Sequence, residues 1–370
     1  MQTASVTEDG DDIQTWTAAG LFSPDAPGAG DRLDLLRYLT AEGVGLEEMV
    51  ARGDAALTRA AVDAVVHPRR VLTVEQVAGR TGLSREAIAM AWLALGLAAP
   101  PVDIASYNEE DLTLLSAFAI GRDLLGLDAI LQFLRVMGAA MSQLAEAAVA
   151  GFIVNVEQPM AEDRAPPVVR ARASTDAARA VLGVPGVLSP LFRRHFETAV
   201  ERQRATQGEG SFDSYRLAVG FVDLVGYTEW AQTLSSSALA AAMTALEREA
   251  ADRVTTAGGR VVKNIGDAVM FVTTDVAAAC QAALALCEFV DAHPSLTRLR
   301  GSVASGDLLA RDGDYFGPIV NLAARAVRLA PPGGVVSGQV VPGFRCHALP
   351  LTTLRGFEEP VQLYQIERDH

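Results

Sequence analysis

Two aspartates at the ends of apolar segments are the first candidates for chemistry. Asp223 ends the run RLAVGFVD, and Asp267 ends the turn NIGD between the segments RVVKN and AVMFV. A carboxylate at a strand end, beside the free N–H groups of a following helix, can hold a divalent cation while those N–H groups bind phosphate oxygens. Two such carboxylates at one sheet edge predict a two-metal site for displacement at phosphorus. The alternative for Asp223 alone is a helix N-cap.

The chain contains a single lysine. Among 31 Lys and Arg residues, only Lys263 is a lysine, and it stands four positions before Asp267. A site that needs one compact ammonium in a tight pocket cannot exchange it freely for the planar fork of arginine. Lys263 is therefore a candidate for ligand recognition. The alternative is a lysine without a function, retained by chance on a solvated face. The sequence has no Walker loop, so we expect the metal site to bind the phosphates.

Two polar residues share a helical segment, FGPIVNLAARAVRLAPPGG. Asn321 and Arg325 stand four apart, which places both side chains on one helix face and toward one ligand. Neither residue type suits a core. The alternative is a solvated helix face.

These candidates lie in a part of the chain where short β-rich segments alternate with helical ones. The predicted strands are 216–223, a hairpin over 260–272, 300–310 and 360–367, with helices between them. This order predicts an α+β ferredoxin-like fold, with helices on one face of a largely antiparallel sheet.

The preceding half is predicted to be all-helical, because apolar residues recur at helical spacing up to about Gln207 with almost no alternating pattern. Residues 1–30 contain five acids and no base, which predicts a flexible acidic tail. The predicted organisation is this tail, a helical regulatory domain over 31–187, a linker helix and linker over 188–210, and an α+β catalytic domain over 211–370.

Composition narrows the classes of partner and location. The net charge of -14 disfavours a nucleic-acid partner, which normally requires a basic face. Charged residues interrupt the apolar region 112–154, and the acidic N-terminus lacks the pattern of a signal peptide, so we expect no transmembrane helix and a cytoplasmic location. Cys280 and Cys287, seven apart in an alanine-rich helix, match no zinc spacing and are predicted to be core residues.

Three segments together resemble the signature motifs of class III nucleotide cyclases. They are FVDLVGYT, VVKNIGDAVMF and DYFGPIVNLAAR, which agree in order and spacing, and the resemblance covers residues 211 to 367. It implies that Asp223 and Asp267 hold two Mg²⁺ or Mn²⁺ ions per active site. It also implies that the 3′-hydroxyl of a nucleoside triphosphate attacks the α-phosphate, which yields a cyclic monophosphate and pyrophosphate.

The resemblance also assigns the purine-reading pair to Lys263 and Asp314. An ammonium donates to N1 of adenine and a carboxylate accepts from its N6 amino group, whereas guanine presents the opposite pattern. The implied substrate is therefore ATP, and the implied enzyme is an adenylate cyclase. Asp312 is an equally good turn residue, but the count of seven back from Asn321 selects Asp314.

The same family implies roles for the remaining polar residues. Asn321 orients the ribose, and Arg325 stabilises charge on the phosphoryl group in the transition state. Phosphate contacts fall to the segment Gly226, Tyr227 and Thr228. Arg355 is a further candidate for the distal phosphates, with a structural arginine near a turn as its alternative. Because family active sites lie between two catalytic domains and this chain carries both sets of residues, the resemblance implies a homodimer.

A looser resemblance links the domain order to actinobacterial adenylate cyclases whose helical N-terminal domain inhibits the catalytic domain and responds to pH. The predicted coupling element is the helix that contains His195, whose charge changes between pH 5 and 8. An exposed histidine without consequence is the alternative. A small-molecule or lipid effector of the helical domain is a further hypothesis.

Other classes of function remain open on the sequence alone. The segment 72–97 has a helix-turn-helix rhythm, but its second helix has Arg85 as its only base and is otherwise apolar, which suits packing and not base reading. The rival functions are a transcription regulator, a catalytically silent cyclase-like regulator and a guanylate cyclase. A diguanylate cyclase would require a GG[DE]EF motif where this chain has NIGDAVMF.

Overall fold

The computed structural model describes residues 5–67, 69–206, 214–293 and 295–369. The chain divides into two compact units, Met1–Phe192 and Arg193–His370. The division falls inside one helix, Pro185–Thr206, in the region of the predicted linker helix. The part of the predicted linker that follows this helix, residues 207–210, lies outside the described residues, as do residues 211–213. The domain boundaries given above therefore stay predictions.

All regular elements described in the first unit are helices, which confirms the all-α prediction. Cap residues explain where some of them begin: the Asn108 side chain accepts from the Asp111 N–H, and the Asp111 carboxylate accepts from the Asn108 N–H. The helices are α1 (Ser5–Ala18), α2 (Ala29–Ala41), α3 (Leu46–Arg52), α4 (Ala60–Val66), α5 (Val74–Thr81), α6 (Arg85–Ala94), α7 (Glu109–Leu125), α8 (Leu127–Phe152), α9 (Gln158–Glu162), α10 (Pro167–Leu182) and α11 (Pro185–Thr206), which continues into the second unit. A 3₁₀ helix, Asp54–Arg59, precedes α4, and a π-helix, Ile153–Glu157, joins α8 to α9.

The predicted flexible tail over residues 1–30 is wrong for the part that the structure describes. Helix α1 occupies Ser5–Ala18, and Trp16 is 4% exposed within a core cluster that also contains Leu21 and Phe22. The acidic composition concealed this, because one buried tryptophan supplies a large apolar area that an average over thirty residues dilutes.

One helical segment among the described residues, Leu127–Glu162, is long and apolar enough to cross a membrane by length and composition. Its most apolar window is 6% buried within the chain. Core helices of water-soluble proteins satisfy the same criterion, so one such helix does not establish a membrane span. The expected absence of a transmembrane helix stays a prediction.

The predicted helix-turn-helix rhythm corresponds to α5 and α6. Ser84 caps α6, whose residues Ile88, Ala91 and Trp92 are buried in the core. Arg85, the base of this helix, forms an ion pair of 2.8 Å with Glu75. The helix therefore packs as a structural element and does not offer a basic face.

The second unit contains a mixed sheet of eight strands in the order β2-β3-β1-β4-β6-β8-β7, with β5 paired to β4. All pairings are antiparallel except that of β4 with β6. The strands are β1 (Ser214–Leu224), β2 (Arg260–Ile265), β3 (Ala268–Thr273), β4 (Leu299–Arg311), β5 (Asp314–Phe316), β6 (Val335–Ser337), β7 (Phe344–Ala348) and β8 (Tyr364–Arg368). The helices are α12 (Tyr227–Gln232), α13 (Ser236–Thr256), α14 (Val276–Asp291) and α15 (Pro318–Ala326), which a 3₁₀ turn, Val327–Leu329, extends. The first four strands and their helices form a β-α-β-β-α-β core, which confirms the α+β ferredoxin-like prediction.

The predicted placement of helices on one face of this sheet is wrong. Ala218 and Val222 of β1 pack in the cluster that contains α13 and α14, whereas Leu217 and Val219 pack in the cluster that contains α15. Successive strand residues point to opposite faces, so the unbroken apolar run of β1 serves helices on both.

Burial determines the reactivity of the cysteines, which are all free. Cys280 and Cys287 lie in the core, as predicted, and burial raises the pKa of each thiol to about 12. At pH 8 such a thiol is about 0.01% thiolate, and the thiolate is the reactive form.

We therefore expect a disulfide reagent to modify at most one thiol, that of Cys346, in the native protein at pH 8. All three should react in denaturant, and the Cys346→Ser variant should show no rapid native reaction. Rapid modification of two or more thiols in the native wild type would contradict the burial of α14.

Candidate active site

Strand register brings the two predicted metal ligands together. Asp223 near the end of β1 pairs with Ala268, and Asp267 directly precedes Ala268 in the β2–β3 turn. Gly266 in that turn has a φ of 62°, a conformation that glycine adopts without steric cost. The antiparallel pairing of β1 and β3 thus places both carboxylates at the same end of the sheet.

The two carboxylates interact electrostatically. Burial raises the pKa of the Asp267 carboxyl, and the charge of Asp223 raises it further, while a backbone hydrogen bond and Arg300 act in the opposite direction. Two neighbouring carboxylates repel each other in a partly desolvated position. A bound cation would relieve this repulsion.

Arg300 on β4 is a charged member of this site that the sequence pattern did not reveal. Its Nε and Nη2 donate to Oδ2 of Asp223 at 3.1 and 2.7 Å, and the two side chains are 23% and 16% exposed. Asp223 and Arg300 are direct partners in the β1–β4 register. Only that long-range register signals the contact, because the residues are 77 positions apart.

The carboxylates of Asp223 and Asp267 fit a metal ion that binds together with a nucleotide. No cluster of three or more His, Cys, Asp and Glu side chains that could hold a metal occurs among the described residues. Mg²⁺ in phosphoryl-transfer sites is commonly held by one or two carboxylates together with substrate phosphates. Asp223 and Asp267 supply two carboxylates, and the remaining ligands would come from phosphate oxygens and water.

Lys263 and Asp314 form an ion pair in which the ammonium donates to Oδ2 of the carboxylate. Lys263 lies on the edge strand β2, and Asp314 follows a tight turn in which Asp312 and Gly313 have φ values of 58° and 79°. The Tyr315 N–H donates to Oδ1 of Asp314 at 2.8 Å. The structure therefore joins the two predicted base-reading residues directly.

Neighbouring side chains hold this pair in place. The Lys263 ammonium lies 5.9 Å from the centre of the Phe316 ring. Arg260 donates from Nη2 to the Gly313 carbonyl at 2.9 Å and lies over the Tyr315 ring at 5.5 Å. The alternative acid, Asp312, lies 3.6 Å from Arg311 instead.

Asn321 and Arg325 lie on α15, which packs through its opposite side. Ala323 and Ala326 are buried, and the Ser302 hydroxyl donates to the Ala323 carbonyl at 2.6 Å. Asn321 is exposed and Arg325 is half-buried. The structure thus leaves this polar face of α15 outside the core, as the spacing of the two residues predicts.

A turn after β7 positions the Arg325 guanidinium. The guanidinium carbon lies 5.5 Å from the centre of the Phe357 ring, a cation–π contact. A Cβ atom on Gly356 would lie 3.0 Å from Nη1 of Arg325, and Gly356 has a φ of 79°. Arg355, which precedes this contact, is exposed. The sequence pattern pointed to Arg355 but not to Gly356 or Phe357.

The remaining predicted residues have different surroundings. Gly226 has a φ of 67° and precedes α12, so the chain turns directly after the β1 carboxylate. The Tyr227 ring packs 6.0 Å from Trp230, whereas Thr228 is exposed. His195 is exposed on α11, next to an ion pair of 3.8 Å between Arg194 and Glu197.

The polar contacts of the site residues define two groups in one chain, Asp223 with Arg300 and Lys263 with Asp314. Among the described residues, no hydrogen bond or ion pair links the carboxylates of Asp223 and Asp267 to Lys263, Asp314 or Arg325. One group can bind cations and phosphates, and the other can recognise a base and stabilise negative charge.

Comparison with known proteins identifies relatives over most of the chain. It is 32% identical to an uncharacterized protein of Mycobacterium tuberculosis over 364 residues, which are 96% of this chain and 94% of that protein. It is 30% identical to an adenylate cyclase of Streptomyces coelicolor over 278 residues, 74% of this chain and 71% of the relative. A pH-sensitive adenylate cyclase of M. tuberculosis is 34% identical over 187 residues, 48% of this chain and 47% of that protein.

Solved structures resemble part of the chain. The adenylyl cyclase CyaB from P. aeruginosa has a TM-score of 0.39 and 23% identity, over 42% of this chain and 96% of its own. The guanylate cyclase domain of RhGC from Catenaria anguillulae, in complex with GTP, has a TM-score of 0.39 and 20% identity, over 42% of this chain and 99% of its own.

No protein-family model matches the chain. The Streptomyces relative nevertheless extends across both the helical and the α+β regions at 30% identity. Together with the three signature segments, this relationship shows that the chain belongs to the class III adenylate cyclase family.

Proposed function

We propose that the protein converts ATP to 3′,5′-cyclic AMP and pyrophosphate. The observation that carries this proposal is the convergence of Asp223 and Asp267 at one end of the sheet, where their mutual repulsion favours a bound cation. In the reaction, the ribose O3′ forms a bond to the α-phosphorus, the bond from that phosphorus to the pyrophosphate oxygen breaks, and the hydroxyl proton passes to solvent.

Asp223 and Asp267 would hold two Mg²⁺ or Mn²⁺ ions, which lower the pKa of the 3′-hydroxyl and neutralise charge on the phosphates. Arg300 neutralises Asp223 before the nucleotide binds. If Asp223 held a metal ion, the Arg300 guanidinium would be free to bind a phosphate of the nucleotide, for which its planar fork is suited. The backbone of Gly226, Tyr227 and Thr228 lies directly after the carboxylate and is the candidate for further phosphate contacts.

Lys263 and Asp314 provide the donor and the acceptor that adenine requires at N1 and N6. Their ion pair positions both side chains before the base arrives, and the contacts with Phe316 and Tyr315 restrain them. Guanine would place a carbonyl opposite the Asp314 carboxylate and an N1–H opposite the ammonium. These two mismatches support ATP as the substrate over GTP.

Asn321 is proposed to orient the ribose, and Arg325 to stabilise the negative charge that develops on the phosphoryl group. Phe357 and Gly356 restrict the Arg325 guanidinium, so that its charge is positioned before the reaction starts. Arg355, on the same turn, is proposed to contact the distal phosphates.

The presence of both the metal-binding carboxylates and the base-reading pair in one chain supports a homodimer. A pair of chains that presents the carboxylates of one to the base-reading group of the other would contain two complete sites. The helical unit is proposed to inhibit the catalytic unit. Regulation by pH through α11 and His195 is also a proposal, and the name of one relative, a pH-sensitive adenylate cyclase, is consistent with it.

The direct test is product identification after incubation of the purified full-length protein with ATP or GTP and Mg²⁺ or Mn²⁺. We expect cyclic AMP and pyrophosphate from ATP, and a loss of at least a hundredfold in kcat for Asp267→Ala, because the cation site is destroyed. Asp252→Ala, an exposed acid on α13, is the matched control and should retain activity. Cyclic AMP formation by Asp267→Ala at the parent rate would refute the proposal.

The base-reading pair generates a second prediction. The double variant Lys263→Glu, Asp314→Asn replaces the donor at position 263 by an acceptor and introduces an amide donor at position 314, so it should lose at least tenfold in kcat/KM with ATP and gain with GTP. The measurement is the ratio of kcat/KM for the two nucleotides. An unchanged ratio in a folded variant would show that these residues do not read the base.

The contact between Arg325 and the Phe357 ring generates a third prediction. Phe357→Ala should lower kcat about tenfold with little change in KM for ATP, because a misplaced guanidinium loses charge stabilisation in the transition state. Phe357→Tyr keeps the ring and should retain near-parent kcat. If both variants behave alike, the ring does not position Arg325.

A further inference from the structure

A cavity in the helical unit has the character of a ligand site. It has a volume of about 130 Å³ and lies where the 3₁₀ helix before α4, the π-helix with α9, and α10 come together. Seven residues line it: Thr58, Arg59, Phe152, Glu157, Met160, Arg170 and Ser174. None of them belongs to the proposed cyclase site.

The charged groups of this cavity lack partners in the part of the chain that the structure describes. No ion pair or hydrogen bond is formed by the side chain of Arg59, Arg170 or Glu157, although all three line the same space. Six other arginines of the unit pair with a carboxylate: Arg32, Arg52, Arg80, Arg85, Arg122 and Arg179. Arg59 is exposed and Arg170 is half-buried, so both arginines that line the cavity are accessible to an anion from solution.

The π-helix explains how both ends of one segment reach the cavity. The Gln158 N–H donates to the Ile153 carbonyl, five residues earlier, which widens the turn. Side chains five positions apart in a regular α-helix point about 140° away from each other. The wider turn instead lets both Phe152 and Glu157 line the same space. Turns of this kind are rare and occur frequently at functional sites.

The lining groups define the chemistry of the ligand. Guanidinium groups match carboxylate and phosphate oxygens, and the hydroxyls of Thr58 and Ser174 are further donors. Glu157 is a hydrogen-bond acceptor with a negative charge. It would repel an anion that has no donor group to offer it. A cavity of about 150 Å³ holds a molecule the size of benzene, so the part of the ligand inside this cavity is small.

We propose that this cavity binds a small oxyanion that also carries a hydrogen-bond donor, such as hydrogen phosphate or a short hydroxy acid. Arg170 and Arg59 bind the anionic oxygens, and Glu157 accepts from the donor. Phe152 and Met160 contact the apolar part of an organic ligand. This site is independent of the proposed cyclase reaction.

The test is thermal denaturation and calorimetric titration of the full-length protein with sodium phosphate or lactate, at constant ionic strength against sodium chloride. Both probes should give a saturable rise in Tm, and acetate, which lacks the donor, should bind more weakly. Arg170→Ala should weaken binding at least tenfold. Arg135→Ala, an exposed arginine on α8, is the matched control and should bind as the parent does.

The Glu157→Gln variant provides a second test of the proposal, and this test keeps both arginines. It should strengthen acetate binding, because the repulsive charge is gone, and so narrow the gap between acetate and lactate. Arg170→Gln replaces Arg170→Ala if the latter does not fold. The proposal is overturned if neither phosphate nor lactate binds saturably, if Arg170 and Arg135 variants weaken binding equally, or if Glu157→Gln leaves the order of affinities unchanged.

Discussion

The burial of Asp267 beside the charge of Asp223 is the constraint on which the catalytic unit depends. Burial and the neighbouring charge both raise the pKa of the Asp267 carboxyl, so the fold holds this carboxylate in an unfavourable place. Arg300 compensates part of that cost through Asp223, at 2.7 Å. A metal–nucleotide complex would compensate the rest.

The sheet maintains this constraint because both of its faces are packed. Successive residues of β1 pack in two different core clusters. A shift of the β1 register by one residue would move every side chain of the strand to the opposite face of the sheet. The same register that is resistant to slippage sets Asp223 opposite Arg300 and beside the β2–β3 turn. The β4–β5 hairpin, which holds Asp314 against Lys263, belongs to the same sheet.

The sequence pattern predicted most of the features that depend on residues close together in the chain. The class of each unit followed from the periods of apolar residues, and the approach of Asp223 to Asp267 followed from two strand ends and one turn. Contacts between distant segments did not follow: the Arg300 contact requires the β1–β4 register, and the Phe357 contact with Arg325 requires a turn and a helix to meet. The packing of Trp16 was missed because composition averaged over a segment hides one buried ring.

The most direct test of the central claim is the number of Mn²⁺ ions bound per chain in the presence of 3′-deoxy-ATP, which lacks the attacking hydroxyl, measured by electron paramagnetic resonance. The account predicts two tightly bound ions for each bound nucleotide. It also predicts loss of at least one of them in Asp267→Asn, which keeps the shape of the side chain but removes its charge. Equal Mn²⁺ binding by the parent and by Asp267→Asn would contradict it.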